Sequence, residues 1–162
     1  IMNRRNKVLS DLELFEFLSQ NGYALGTDFI VGHPGETQEL WNEAMKNLYN
    51  FPLTHIHAFT YSKRDGTPSA SMKDIVKGDI AKDRYIELVE IIKQKNYEFR
   101  QNIKNNKVKL EVLVEQEKNG KYLGFDQFFN QVEISSNEDL VSDWLNLEDY
   151  KVEFNKNEAR FK

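Results

Sequence analysis

The sequence predicts an α/β layer that gives way to an all-β module. Three observations carry this. Over roughly the first hundred residues, amphipathic helical segments alternate with short apolar or β-branched runs, the order that builds a parallel α/β layer. Near Asn106 the apolar period changes from helical to two. Beyond that point short strand candidates recur with turn signals between them, the pattern of a small β-barrel of about 55 residues.

Taken in order, Ser10 followed by Glu13 reads as a capping box, and Leu14, Phe15 and Leu18 form an apolar stripe that stops at Gly22. Ala24 to Val31 is almost uninterruptedly apolar, broken by Thr27 and Asp28, which predicts a strand buried on both faces. G-H-P-G-E then forms a turn, and Thr37 is the expected N-cap of a helix carrying Leu40, Trp41, Ala44, Met45 and Leu48 at helical spacing. A second strand, Thr54 to Ser62, ends in the loop K-R-D-G-T-P. A long helix follows from Asp79 to about Asn102, with Tyr85, Leu88, Val89, Ile92 and Phe99 as its expected buried face. In the β module Val108, Leu110, Val112 and Val114 alternate with charged residues, and Asn119-Gly120 is a hairpin turn signal. Further strands are expected at Tyr122 to Phe125, Phe128 to Ile134, Tyr150 to Phe154 and near Phe161.

A length of 162 residues suits one ordinary domain or two small ones. The polar stretch N-I-K-N-N-K makes the boundary, giving domains 1–106 and 107–162. There is no cysteine, which excludes disulfides, thiolate zinc sites and any iron-sulfur cluster ligated by cysteines within these residues. The net charge is −4, without the basic excess of a self-sufficient nucleic-acid binder. Residues 1–106 carry 14 basic and 14 acidic side chains and residues 107–162 carry 8 and 12, so the acidity resides in the β module. A mean hydropathy of −0.67 with no long apolar run excludes a membrane span. The chain opens on Ile1 with no basic and apolar leader, and reads as a fragment.

Two segments can carry chemistry. Gly26 to Glu36, G-T-D-F-I-V-G-H-P-G-E, leads from a strand through Gly32 and Gly35 into a helix, the strand end where α/β proteins hold ligands. It is neither a dinucleotide fingerprint nor a P-loop, and a plain βα turn is the alternative. Asp28 favours the ligand reading, since a carboxylate inside a buried strand needs partners. The second segment, Tyr61 to Pro68, leaves the next parallel strand at the same end of the sheet, with Arg64 able to clamp a phosphate or carboxylate; a solvated D-G turn is the alternative. His55 and His57 share a strand face, but without a third ligand at recognisable spacing no metal site is expected. Arg4, Arg5 and Lys7 form a short basic cluster. Tyr122, Phe125, Phe128 and Phe129 could stack RNA bases, but most are expected to be core.

M-N-R at Met2 to Arg4, T-D-F-I-V-G-H-P-G-E at Thr27 to Glu36 and F-T-Y-S-K-R-D-G-T-P-S-A at Phe59 to Ala70 together resemble the radical S-adenosylmethionine methylthiotransferases. L-E-V-L-V-E at Leu110 to Glu115 is similar to the entry into the TRAM domain of those enzymes. The resemblance implies the last βα units of a partial parallel (β/α) barrel followed by a small TRAM-like β-barrel. It implies a cytoplasmic enzyme that methylthiolates tRNA or a ribosomal protein with S-adenosylmethionine and two [4Fe-4S] clusters, whose ligands are absent from this chain. The loop and H-I-H-A-F-T-Y-S are most similar to the branch acting on N6-threonylcarbamoyladenosine beside the anticodon, with the isopentenyladenosine branch second. By the same resemblance Arg4, Asp28, Ile30, Gly32 and Phe59 would bind the cofactor, and Tyr61 and Arg64 would face the tRNA anticodon stem-loop. No catalytic residue and no metal ligand is implied for the chain itself, and the fragment alone is expected to be inactive. Departures from the family pattern are Asn6, His33 for Phe, Phe128 for Asn, Phe129 for Tyr and the absence of a late glycine near Ser142.

A stand-alone RNA-binding or scaffold module is the competing function class. A C-x-x-x-C-x-x-C motif upstream of Ile1 would decide for the enzyme. Two exposed sheet edges and an apolar face in an excised piece of a parallel barrel also predict self-association or marginal stability.

Overall fold

The computed structural model describes residues 7–161. It divides into two compact units between Lys95 and Asn96. The first holds α1 (Val8–Gln20), β1 (Gly26–Val31), α2 (Gln38–Asn50), β2 (His55–Thr60), a 3-10 turn at Pro68–Ser71 and most of α3 (Gly78–Asn105). The second holds the end of α3 and six strands: β3 (Leu110–Lys118), β4 (Lys121–Asp126), β5 (Gln131–Ser135), β6 (Trp144–Leu147), β7 (Tyr150–Val152) and β8 (Asn157–Arg160). An α/β unit is thus followed by an all-β one.

In the first unit β1 and β2 pair in parallel with α2 between them in sequence, and Gly26 is opposite His55 and Val31 opposite Thr60. Paired residues of a parallel ladder project to the same side. Thr27, Phe29 and Val31 therefore share one face with Ile56, Ala58 and Thr60. Phe29, Ile56 and Ala58 pack against the core of Leu25, Val31, Trp41, Met45, Leu48, Leu53, Leu88, Ile91 and Ile92. The other face carries Gly26, Asp28 and Ile30 beside His55, His57 and Phe59. β1 is consequently buried on one face only, and Asp28 is exposed rather than interior. The apolar run misled because Ile30 belongs to the open face.

Thr37 caps α2 as expected, its hydroxyl accepting from Leu40 N at 3.3 Å, and α2 buries Trp41, Met45 and Leu48. The capping box at α1 does not form. The helix starts one turn earlier with Lys7 at the N-cap, and the Ser10 hydroxyl bonds back to Lys7 O at 3.1 Å. In α3 the buried stripe runs through Leu88, Ile91 and Ile92, whereas Tyr85 is exposed. Arg84, a charged residue, takes a buried position on this helix.

The second unit is one sheet of order β6-β3-β4-β5-β8-β7. All neighbours are antiparallel except β5 and β8, which run parallel. Its core joins Leu110, Val112, Val114, Val132, Ile134, Leu140, Leu145, Leu147 and Tyr150 with Ile103 of the helix. The Asn119-Gly120 turn has both residues at positive φ, 54° and 73°, as a two-residue hairpin requires. Gly124 is enforced by packing, since a Cβ there would lie 2.2 Å from Leu113 O. The strand expected from Phe128 starts at Gln131 instead, because the Asp126 carboxylate accepts from Phe128 N and Asn130 N at 2.9 and 2.8 Å and curls residues 126–130 into a turn.

Candidate functional site

β1 and β2 end in register at Val31 and Thr60, so residues 32–37 and 61–72 leave at the same end of the parallel pair. That is the end at which open α/β sheets bind ligands.

The first of these loops is fixed from below. Gly32 has φ +77°, and a Cβ there would lie 2.9 Å from Ala81 Cβ on α3. Gly32 N–H donates to Glu36 Oε1 at 3.1 Å. The same carboxylate oxygen takes Arg84 Nη1 at 2.7 Å, in a pair whose side chains are only 6 and 11% exposed. Arg84 donates further to Glu36 O at 3.0 Å and Gln38 Oε1 at 3.1 Å. Its guanidinium lies 5.4 Å from the Trp41 ring centre, and Trp41 Nε1 donates to Glu87 Oε2 at 2.8 Å. One guanidinium thus ties the loop to two helices. Glu36, Trp41 and Arg84 went unnoticed as supports of the site, because an Arg inside a helix rich in surface charge carries no local signal of burial.

The second loop is closed on itself. Gly66 has φ +81°, and Thr67 returns its hydroxyl to Arg64 O at 2.7 Å while lying 3.1 Å from Ser69 Oγ. Arg64's guanidinium makes no ion pair among the described residues, Asp65 included. Between the loops lies a cleft of about 470 Å³ lined by Ile30, His33, Thr60, Tyr61, Ser62, Arg64, Thr67 and Ser69. Its lining holds one cation, five hydroxyls and no carboxylate. His33 Nδ1 lies 2.8 Å from Pro34 O, so Nδ1 carries the proton and donates. The His33 and Tyr61 rings meet edge to face at 5.2 Å. Tyr61 Oη is buried without a partner among the described residues.

The residues expected at the site fall into two groups. Asp28, Ile30 and Phe59 share the helix-free face of the strand pair, with Ile30 and Phe59 in register and Phe59 52% exposed. Tyr61 and Arg64 line the cleft together with Ile30, which therefore belongs to both groups. Gly32 stands at the end of β1, where its geometry is set by Ala81. Arg4 lies outside the described residues. On the open face His57 is opposite Asp28 and His55 opposite Gly26, with His55 Nδ1 2.8 Å from Thr54 Oγ1. No group of three or more His, Cys, Asp or Glu that could hold a metal ion occurs among the described residues.

The second unit contains a buried polar knot that sequence reasoning also missed. Arg100, 1% exposed, donates to Glu153 O at 2.7 Å, Phe154 O at 2.6 Å, Asn157 Oδ1 at 3.1 Å and Asn96 Oδ1 at 2.8 Å. Burial lowers its pKa, opposed by the field of Asp126. Of the four aromatics on the hairpin, Tyr122 and Phe128 pack against the core. Phe125 and Phe129 are exposed, which corrects the expectation that most are core. Phe125 and Trp144 are both register partners of Leu113, so the three form a row across the outer face of β6, β3 and β4.

No family model matches the chain. Over 160 residues, 99% of the chain, it is 44% identical to a protein of Helicobacter pylori (strain J99) provisionally named a methylthiotransferase, with no substrate in the name. The chain belongs to the methylthiotransferase family. It spans 38% of the length of that relative. Two further relatives have names that specify substrates. The chain is 34% identical over 128 residues to the ribosomal protein uS12 methylthiotransferase of Caldanaerobacter subterraneus, covering 76% of this chain and 29% of that protein. It is 29% identical over 143 residues to the threonylcarbamoyladenosine tRNA methylthiotransferase of Bacillus subtilis, covering 86% and 32%.

Proposed function

We propose that this chain is the carboxy-terminal part of a tRNA methylthiotransferase that adds a methylthio group to C2 of N6-threonylcarbamoyladenosine next to the anticodon. The observation that carries the reading is the juxtaposition at the strand ends. An open face with an exposed aromatic and a carboxylate, Phe59 and Asp28, adjoins a cation-bearing cleft through Ile30. The first unit is read as the closing βα units of a parallel barrel, and its helix-free face as the barrel interior.

That face suits the adenosine part of S-adenosylmethionine. Phe59 and Ile30 offer an apolar platform for the base, and Asp28 is an acceptor for ribose hydroxyls or a counter-charge for the sulfonium. When bound, S-adenosylmethionine supplies the methyl group and the radical chemistry of the family. The described residues hold no constellation for an iron-sulfur cluster, and the chain has no cysteine, so ligands for the two [4Fe-4S] clusters would come from elsewhere in the polypeptide. The residues of this chain bind and orient: Tyr61 and Arg64 hold the nucleotide, and the Arg84 to Glu36 pair keeps the Gly32 loop from shifting under it.

The second unit is read as a TRAM-like domain. Ser142, where the family's glycine is missing, has φ +72°, a conformation that glycine adopts without strain. The exposed row of Phe125, Leu113 and Trp144 would suit stacked bases.

A ribosomal-protein substrate is the second reading, supported by the higher identity to the uS12 enzyme, 34% against 29%. Mass spectrometry separates them. The full-length protein, loaded with its clusters, is incubated with S-adenosylmethionine, a one-electron reductant such as dithionite, a sulfur source and either threonylcarbamoylated tRNA or ribosomal protein. A methylthio increment on the nucleoside is expected; an increment on the protein alone would overturn the proposal.

A further inference from the structure

The cleft at the strand ends points to one chemical class of substituent. We propose that it receives the carboxylate of the side chain on the modified base, with Arg64 as the pairing cation and Tyr61 as the inner hydrogen-bond donor. This rests on the tRNA reading above and adds what distinguishes one modified adenosine from another.

The chain carries more acidic than basic residues, yet the cleft lining holds one guanidinium and not one carboxylate. Arg64 is therefore the charge any entering group meets. The loop that carries it is set beforehand, since Thr67 caps the Arg64 carbonyl at 2.7 Å and Ser69 braces Thr67 at 3.1 Å. A guanidinium on a fixed turn, without an internal carboxylate to displace, loses little on pairing with one from a ligand. Tyr61 supplies the second observation. A buried hydroxyl without an acceptor costs stability, and such a group in a native protein needs a reason. The hydroxyl itself is covered, so a turn of the phenol toward the cleft would be needed to bring it to a ligand oxygen and give that proton its acceptor. His33, with its proton on Nδ1 directed to Pro34 O, keeps its ring edge against Tyr61 and helps fix the phenol.

A threonylcarbamoyl group brings a carboxylate and a hydroxyl to a cleft of one cation and several hydroxyls. A dimethylallyl group brings only hydrocarbon and would leave Arg64 unpaired beneath it, a penalty that discriminates more strongly than any apolar fit. Arg64 and Tyr61 are thus specificity residues, not groups that take part in bond making.

The test is a binding measurement on the full-length protein with three anticodon stem-loops that differ only at the target base: adenosine, N6-threonylcarbamoyladenosine and N6-dimethylallyladenosine. The wild type is expected to prefer the carboxylate-bearing RNA over the other two by about tenfold or more, the range of one charge-assisted hydrogen bond. Arg64→Gln should collapse that preference, and Tyr61→Phe should reduce it several-fold while leaving the thermal midpoint unchanged or higher, since an orphan hydroxyl has been removed. If Arg64→Gln instead weakens all three RNAs equally and flattens the salt dependence, the cation holds a backbone phosphate and the inference is overturned. Equal affinity of the wild type for all three RNAs would also overturn it. Failure to bind any of them, with modification of ribosomal protein instead, would reject the tRNA reading itself.

Discussion

The pair Arg84 and Glu36 should be worth far more as a pair than as two residues, and a double-mutant cycle measures this. Arg84→Met removes the partner of a carboxylate that is 11% exposed and leaves it Gly32 N–H as a donor among the described residues. It also orphans the acceptors Glu36 O and Gln38 Oε1. Removing one member of a buried pair costs roughly 3–5 kcal/mol. Glu36 lies at a loop where water can enter after rearrangement, so the lower figure, about 3 kcal/mol, is expected. Glu36→Gln keeps an oxygen for Gly32 and Arg84 but leaves a buried guanidinium uncompensated, again about 3 kcal/mol. The double variant removes both charges and should lose about 2–3 kcal/mol instead of the additive 6, a coupling of about 3 kcal/mol or more. The assay uses the chain's own reporters. Of its two tryptophans Trp41 is 2% exposed beside the pair and Trp144 is 68% exposed, so in a Trp144→Phe background urea unfolding followed by indole fluorescence reads the first unit. Additivity within about 0.5 kcal/mol would refute the claim that one buried ion pair anchors the Gly32 loop.

Gly32→Ala should destabilise the first unit by at least about 2 kcal/mol, combining left-handed strain with a contact against Ala81 that a helix backbone cannot relieve; a loss under 1 kcal/mol in the same assay would show that α3 can move away. Arg100→Lys should cost the second unit about 3 kcal/mol, because one ammonium cannot reach the four acceptors the guanidinium serves, and amide exchange across β7 and β8 should accelerate selectively. Burial raises the Tyr150 pKa above 10.0, and the hydrogen bond to Glu133 raises that of Lys156 above 10.5. Each folded form then holds its proton more tightly than the unfolded chain, so the stability these two groups contribute is full below about pH 10 and falls as pH rises through the raised values. Tyr150→Phe should flatten the first part of that decline, and an unchanged slope would argue that Tyr150 does not report folding.

The elements were largely legible because their signals are local. Thr37 caps the helix it precedes, Asn119-Gly120 turns the hairpin it separates, and the change of period near Asn106 marks the passage from helix to strands. β6 went unread because W-L-N-L, Trp144–Leu147, is short and its outward Trp144 looks like core in a sequence. The turn at Phe128 to Asn130 went unread for a different reason. Its aromatics carry strand propensity, but the Asp126 carboxylate gathers backbone N–H groups that a ladder would otherwise use. The residues holding each unit's irregular segments, Arg84 and Arg100, were illegible because a buried guanidinium is defined by its acceptors. Those acceptors are backbone carbonyls, side-chain amides and, for Arg84, the Glu36 carboxylate, and all but Asn96 are distant in sequence.

The open face of the strand pair shows where the sequence says more than packing alone can explain. Alternation on β1 and β2 is satisfied by Thr27, Phe29, Val31, Ile56 and Ala58 on the helix side, and a solvated face would then carry polar residues throughout. It does so at Asp28, His55 and His57, but toward the strand ends it carries Ile30 and Phe59 side by side. Phe59 is 52% exposed there. Apolar character is thus concentrated at the ligand end of the strands and absent from the other end of the same face. Burial by a further layer of protein would call for apolar residues along the whole face. A nucleoside-sized ligand calls for them only where it sits, which is the distribution β1 and β2 have.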